Sequence, residues 1–182
     1  MSDVKMPEVE VSLRLAIFLA TSGKANSPID VAIDGAQVKI GETVHFDVVQ
    51  FMNSQGWQIN SESNRWQGIY SNRNVPWHIR VHSQSGIGDV TTILTSGQQF
   101  IAESKKGTMN RSKSSSEYPL IREAIGQLMT IESVPENPFL AIAIPAGERF
   151  LELTARWRSA PLLRRAGISL LTVSPTGEVQ GW

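Results

Sequence analysis

The sequence predicts a mixed α/β fold in which one central sheet, part antiparallel meander and part βαβ-like, is flanked by helices on both faces. Three observations carry that expectation. Between Trp57 and Lys105 the apolar residues recur with a period of two, the pattern of strands. From Tyr118 the period becomes helical, with Tyr118, Ile121, Ile125 and Leu128 on one stripe. Two continuous apolar runs, Phe139 to Ile144 and Ile168 to Val173, then flank a helical stretch from Glu148 to Trp157, the order of a βαβ unit whose strands are buried on both faces. The chain of 182 residues suits a single domain, residues 1–182, and no linker divides it. Its parts are a helix, strand and helix over 1–56, the strand meander over 57–105, and helix, strand, helix, strand over 106–182.

The first segment has two competing phases. Val9, Val11, Leu13 and Leu15 alternate as in a strand, while Val9, Leu13, Ala16, Ile17 and Ala20 form a helical stripe behind Pro7; a helix from about Glu8 to Thr21 is the expectation. Ile29 to Ile33 reads as a short strand ended by the turn dipeptide Asp34-Gly35. Thr43 reads as the N-cap of a helix through Phe46, Val49 and Phe51 that stops at Gly56. Trp66 to Ser71, Trp77 to His82, Ile87 to Leu94 and Gln98 to Lys105 are consecutive strands, and the polar run from Lys106 to Ser116 is a loop.

Composition bounds the function. No stretch approaches the roughly 20 apolar residues of a membrane span, and the acidic N-terminus does not resemble a signal peptide, so a cytoplasmic protein with no membrane partner is expected. Having no cysteine, the chain has no disulfide, thiolate nucleophile or Cys-type zinc site. The 17 basic and 17 acidic side chains balance overall but not locally: residues 1–103 carry 7 Lys+Arg against 10 Asp+Glu, and residues 104–182 carry 10 against 7. Lys105, Lys106, Arg111 and Lys113 cluster without an acid among them, and Arg149, Arg156, Arg158, Arg164 and Arg165 face only Glu152. Such clusters suit a phosphate backbone or simply a solvated face. Trp57, Trp66 and Trp77 suit base stacking or, more ordinarily, sheet packing.

Known phosphate loops and nucleophile elbows are absent from the sequence, and His78 and His82, about 13 Å apart on a strand, cannot share a zinc ion. What remains is Gly88-Asp89-Val90 followed by Ile101-Ala102-Glu103-Ser104-Lys105. Between the two strands lies Thr95-Ser96-Gly97, a three-residue hairpin loop with glycine in the left-handed position. In that register Leu94 faces Gln98 and Asp89 faces Glu103, with Lys105 on the same face. Two carboxylates at that spacing repel unless a cation lies between them, and an oxygen-only ligand set favours Mg²⁺ or Mn²⁺. The same residues also suit a plain cross-strand salt bridge.

Asp89, then Glu103-Ser104-Lys105 ending a strand, then a helix and a buried strand, resembles the PD-(D/E)xK nuclease superfamily, whose core is restriction-endonuclease-like. The resemblance covers roughly Glu8 to Val173. It implies that Asp89, Glu103 and the Ser104 carbonyl hold the metal ion and that Lys105 positions the attacking water. It further implies a catalytic contribution from Gln127, because Arg122-Glu123-Ala124-Ile125-Gly126-Gln127-Leu128 resembles the helix segment that carries a glutamine in that family. An early helical acid often assists the metal there, a place that Glu8 or Glu10 could take. The chain departs from the pattern in having Gly88 where proline is usual and Ile131 where one branch has tyrosine. The expected function is therefore metal-dependent hydrolysis of DNA, with Lys106, Arg111, Lys113, Arg156 and Arg158 on the phosphate backbone and a homodimer as one way to cut both strands. The alternative is a non-catalytic member of the same fold that binds DNA or protein.

Overall fold

A computed structural model describes residues 4–60, 66–110 and 117–182. In chain order the elements are β1 (Lys5–Met6), α1 (Glu8–Thr21), β2 (Ile29–Ala32), α2 (Gly35–Val38), β3 (Lys39–Ile40), β4 (Thr43–Val44), α3 (Val48–Ser54), β5 (Gln58–Ile59), β6 (Gly68–Ser71) and β7 (Ile79–His82). There follow β8 (Val90–Ile93), β9 (Gln99–Ser104), β10 (Gly107–Thr108), α4 (Glu117–Met129), β11 (Phe139–Pro145), α5 (Glu148–Trp157), α6 (Pro161–Arg165), β12 (Ile168–Val173) and β13 (Val179–Gln180). No helix among the described residues is long and apolar enough to cross a membrane.

Nine strands form one mixed sheet in the order β13-β12-β11-β9-β8-β2-β7-β6-β5. The βαβ half is as expected: β11 pairs in parallel with both β9 and β12. The meander is not continuous, because β2 is inserted between β7 and β8, parallel to the first and antiparallel to the second. Alternation within a strand shows which faces it buries but not which strand lies beside it, so this insertion has no local signature.

The first segment is the expected helix, and it carries an apolar strand-like alternation as well because α1 is buried nearly all round: Val9, Val11, Leu13, Leu15, Ala16 and Leu19 are each at most 1% exposed. It packs on one face of the sheet, where Val31, Val81, Val90, Phe100, Ala102 and Ala143 meet it, with α3 adding Val48 and Met52. On the other face α4 and α5 cover only the β9, β11 and β12 half, burying Ile101, Ile142, Ile144 and Leu170. The same face of β2, β7 and β6 carries Asp30, Arg80, His82 and Ile69, none of them buried, and no helix among the described residues packs there. Helices therefore flank both faces over half of the sheet and one face over the rest. The burial pattern follows: β2, β6 and β7 alternate, whereas β9 and β11 are buried almost without a break.

Two caps differ from expectation. The N-cap of α3 is Asp47, whose carboxylate accepts from the Gln50 N–H at 2.9 Å, while Thr43 lies in β4. Asp34 opens the one-turn helix α2 by accepting from the Ala36 N–H at 2.9 Å. The stop at Gly56 is as expected, with φ +78°.

Candidate functional site

The β8–β9 hairpin has the expected register. Val90 faces Ala102, Thr91 faces Ile101 and Ile93 faces Gln99. The loop closes through Leu94 N–H to Gln98 O and Gly97 N–H to Leu94 O, both 2.9 Å, with Gly97 at φ +84°.

Past Val90 the ladder changes. The N–H of Asp89 is turned onto the Ala102 carbonyl at 2.9 Å, so Asp89 and Val90 both oppose Ala102, the arrangement of a bulge. The Asp89 carboxylate then accepts from the Ser104 N–H at 2.7 Å, taking the place of a backbone acceptor. Asp89 thus caps the strand end instead of facing Glu103 squarely. The cause is Gly88, at φ +155°, where an added Cβ would come within 2.8 Å of Ile101 Cγ2. Proline, fixed near −65°, cannot adopt that conformation, which gives a physical reason for glycine at this position.

Asp89, Glu103 and Gln127 line one cleft of about 390 Å³, with Asp34 and the turn from Ser83 to Gly86 on its far wall. Burial pushes the Asp89 carboxyl up to about 6, opposed in part by the Ser104 N–H. Burial and then the Asp89 charge push Glu103 up to about 7. Lys105, 4% exposed, favours ionisation of both, but its ammonium bonds to Glu123 Oε1 on α4 at 3.0 Å, not to either carboxylate.

Of the two N-terminal acids, Glu8 is the one whose charge acts at Asp89 and Glu103. Glu10 pairs with Arg14 at 2.7 Å. Glu8 accepts from Gln37 Nε2 at 2.9 Å and adds negative potential at both Asp89 and Glu103. Both acids lie in the first turn of α1, so position along the sequence does not separate them. Among the described residues no three His, Asp or Glu side chains form a metal-ligand set by themselves.

The basic residues scatter. Lys106 is exposed beside Lys5, Pro119 and Leu120, lining a different groove. Arg156 reaches the Tyr118 hydroxyl at 3.5 Å. Arg158 is engaged structurally: Nε and a terminal nitrogen donate to the Leu170 carbonyl at 3.1 and 3.0 Å, tying the end of α5 to β12. Arg111 and Lys113 lie outside the described residues. Trp57 is fully buried, which accounts for it by packing, and Trp66 and Trp77 are partly buried against the core.

The site therefore belongs to a mixed α/β sheet protein with two carboxylates, a lysine and a glutamine gathered at one strand end. No protein-family model, curated protein or solved structure matches the chain.

Proposed function

We propose that the protein is a metal-dependent nuclease with a restriction-endonuclease-like core that hydrolyses DNA phosphodiester bonds. The observation that carries this reading is the pair Asp89 and Glu103 on one cleft wall, both with pKa values raised by burial and, for Glu103, by its neighbour. Such a pair gains most from a divalent cation, and Mg²⁺ commonly sits on one or two carboxylates with water completing its shell. The donor set fits: Asp89, Glu103 and the Ser104 carbonyl would hold Mg²⁺ or Mn²⁺ without a third side chain. The ion supplies Lewis acidity to the phosphate and to water.

The chain's own residues do the rest. The Ser104 N–H fixes one oxygen of Asp89 and leaves the other for the cleft. Lys105, held by Glu123, orients a water as a hydrogen-bond donor and offsets negative charge growing on the phosphate. Gln127 presents an amide from α4 at the cleft wall. Cleavage of plasmid, linear duplex and single-stranded DNA by the parent and by Lys105→Ala, with Mg²⁺ or Mn²⁺, tests the reading. The parent cuts at least one substrate and the variant loses at least about a hundredfold, the scale of a removed electrostatic stabiliser. Equal activity, or none on any substrate, sinks it.

A second reading, a non-catalytic binding module of the same fold, is favoured by the Lys105–Glu123 ion pair, which already satisfies the lysine. It predicts DNA or protein binding with no metal-dependent cleavage.

A further inference from the structure

Outside the cleft, three arginines converge on one aromatic ring. Tyr118, in the first turn of α4, has Arg149 over its ring at 5.2 Å and Arg122 at 6.0 Å. Its hydroxyl lies 3.4 Å from a guanidinium nitrogen of Arg149 and 3.5 Å from one of Arg156, and Trp157 backs the ring edge-on at 5.5 Å. Two carboxylates stand near and both act on Arg149: Glu152 pairs with it at 2.6 Å, and the buried Glu117 accepts from Thr108 at 3.1 Å through one oxygen while its other oxygen has no hydrogen-bond partner. Arg122 and Arg156 have no carboxylate partner among the described residues. Three guanidinium groups on α4 and α5 outnumber the two carboxylates beside them, and planar guanidinium groups match phosphate oxygens.

The position of this cluster relative to the cleft specifies the substrate. Tyr118 and Gln127 are nine residues apart on α4, about two and a half turns, so they stand on opposite flanks of the helix and roughly 13 Å apart along it. Between Arg122 on the Tyr118 side and Gln127, the exposed Glu123 and Gly126 form a ridge that carries an acid. A single strand entering the cleft would have to climb that ridge to reach the arginines. A duplex would not, since its major groove, about 12 Å wide, admits a helix with one backbone on either side.

We infer that Arg122, Arg149 and Arg156, gathered about Tyr118, bind a phosphate of the second strand of a duplex whose first strand lies in the cleft beside Asp89 and Glu103. The inference rests on the nuclease reading for the cleft, and it names the substrate form as double-stranded.

The test measures binding in EDTA, where no cleavage occurs, using the anisotropy of a short labelled duplex and of the same sequence single-stranded. Arg122→Gln/Arg149→Gln/Arg156→Gln is compared with the parent and with Arg164→Gln/Arg165→Gln, two arginines of α6 that do not contact Tyr118. The triple variant binds duplex at least about tenfold more weakly, and its salt slope is shallower by about one, for the one phosphate lost. Single-strand affinity changes less than about twofold, as does duplex affinity of the Arg164/Arg165 variant. Each single substitution, read alone, weakens duplex binding more than single-strand binding, which holds the test open if the triple variant misfolds. Duplex affinity unchanged in the triple variant, equal loss for both DNA forms, or equal loss from Arg164 and Arg165 overturns the inference. Displacement of duplex by inorganic phosphate at sub-millimolar concentration, at fixed ionic strength, would overturn it in favour of a small-anion site. Cleavage separates the two claims. A parent that binds through the cluster but cuts nothing sinks only the nuclease reading, and a parent that cuts while its triple variant binds normally sinks only the cluster.

Discussion

Glu103 makes the protein less stable by being ionised. Its pKa is raised to about 7 in the folded chain, above the ordinary range of a glutamate, so the folded state binds more protons than the unfolded state between those two values. Stability from this group is therefore fully present below the unfolded pKa and falls as pH rises toward 7; Asp89, raised to about 6, acts in the same direction. In EDTA, warming the parent at pH 5 and at pH 8 gives a difference in Tm that Glu103→Gln reduces by roughly 2–4 °C, the equivalent of about 1 kcal/mol after allowance for partial exposure. A difference that is identical in the two proteins would remove the assigned shift. Divalent ion added at pH 8 raises the Tm of the parent and not of the variant, since a ligand that binds only the folded state stabilises it. Gly88 is the second residue with a defined cost. Gly88→Ala forces a Cβ to within 2.8 Å of Ile101 and 3.1 Å of the Ala102 carbonyl at a strained φ, and denaturant titration should show a loss of about 1–3 kcal/mol.

The β8–β9 hairpin and α1 show how legibility depends on the reach of an interaction. A three-residue loop ending in glycine has a strong local preference, so the pairing of Val90 to Ile93 with Gln99 to Ala102 was readable from the turn alone. Gly97→Ala tests that preference: with open space around the Cβ but φ at +84°, it costs about 1 kcal/mol without changing divalent-ion affinity, measured by denaturation and calorimetry. The bulge one residue further was not readable, because it depends on close packing of Gly88 against Ile101. Nor were the short β3–β4 hairpin and α6, whose lengths of two and five residues carry no period. In α1 the ambiguity came from burial on all sides, which fills both the strand phase and the helix phase with apolar residues. That ambiguity concealed which glutamate, Glu8 or Glu10, is near the cleft.

Across the whole molecule the segregation of charge proved only partly informative. The acidic side chains Glu8, Asp89 and Glu103 do gather at one place, but the basic half divides into residues with different duties. Arg158→Ala illustrates this. Losing the donors to the Leu170 carbonyl should destabilise the protein by about 1 kcal/mol, seen as a lower denaturation midpoint, while DNA affinity stays within about twofold. A selective fall in DNA affinity would instead return Arg158 to the binding surface. The uncovered face of β2, β7 and β6 could have been anticipated from Ile79-Arg80-Val81-His82, since a charged residue between two buried ones marks a strand with one wet side.

The seating of β2 between β7 and β8 also governs the order in which the fold can be assembled. Ile29 pairs with Ile79, fifty positions later, and Val31 with Val90, so this early strand finds neither neighbour until much of the chain is present. Contacts of that sequence separation raise contact order and slow folding, because a long loop must close before any pairing repays it. During synthesis the emerging β2 would remain open at both edges, its backbone N–H and C=O groups unpaired, until the residues that carry Asp89 had followed it out. The strand beside the cleft is thus both an early sequence and a late structure.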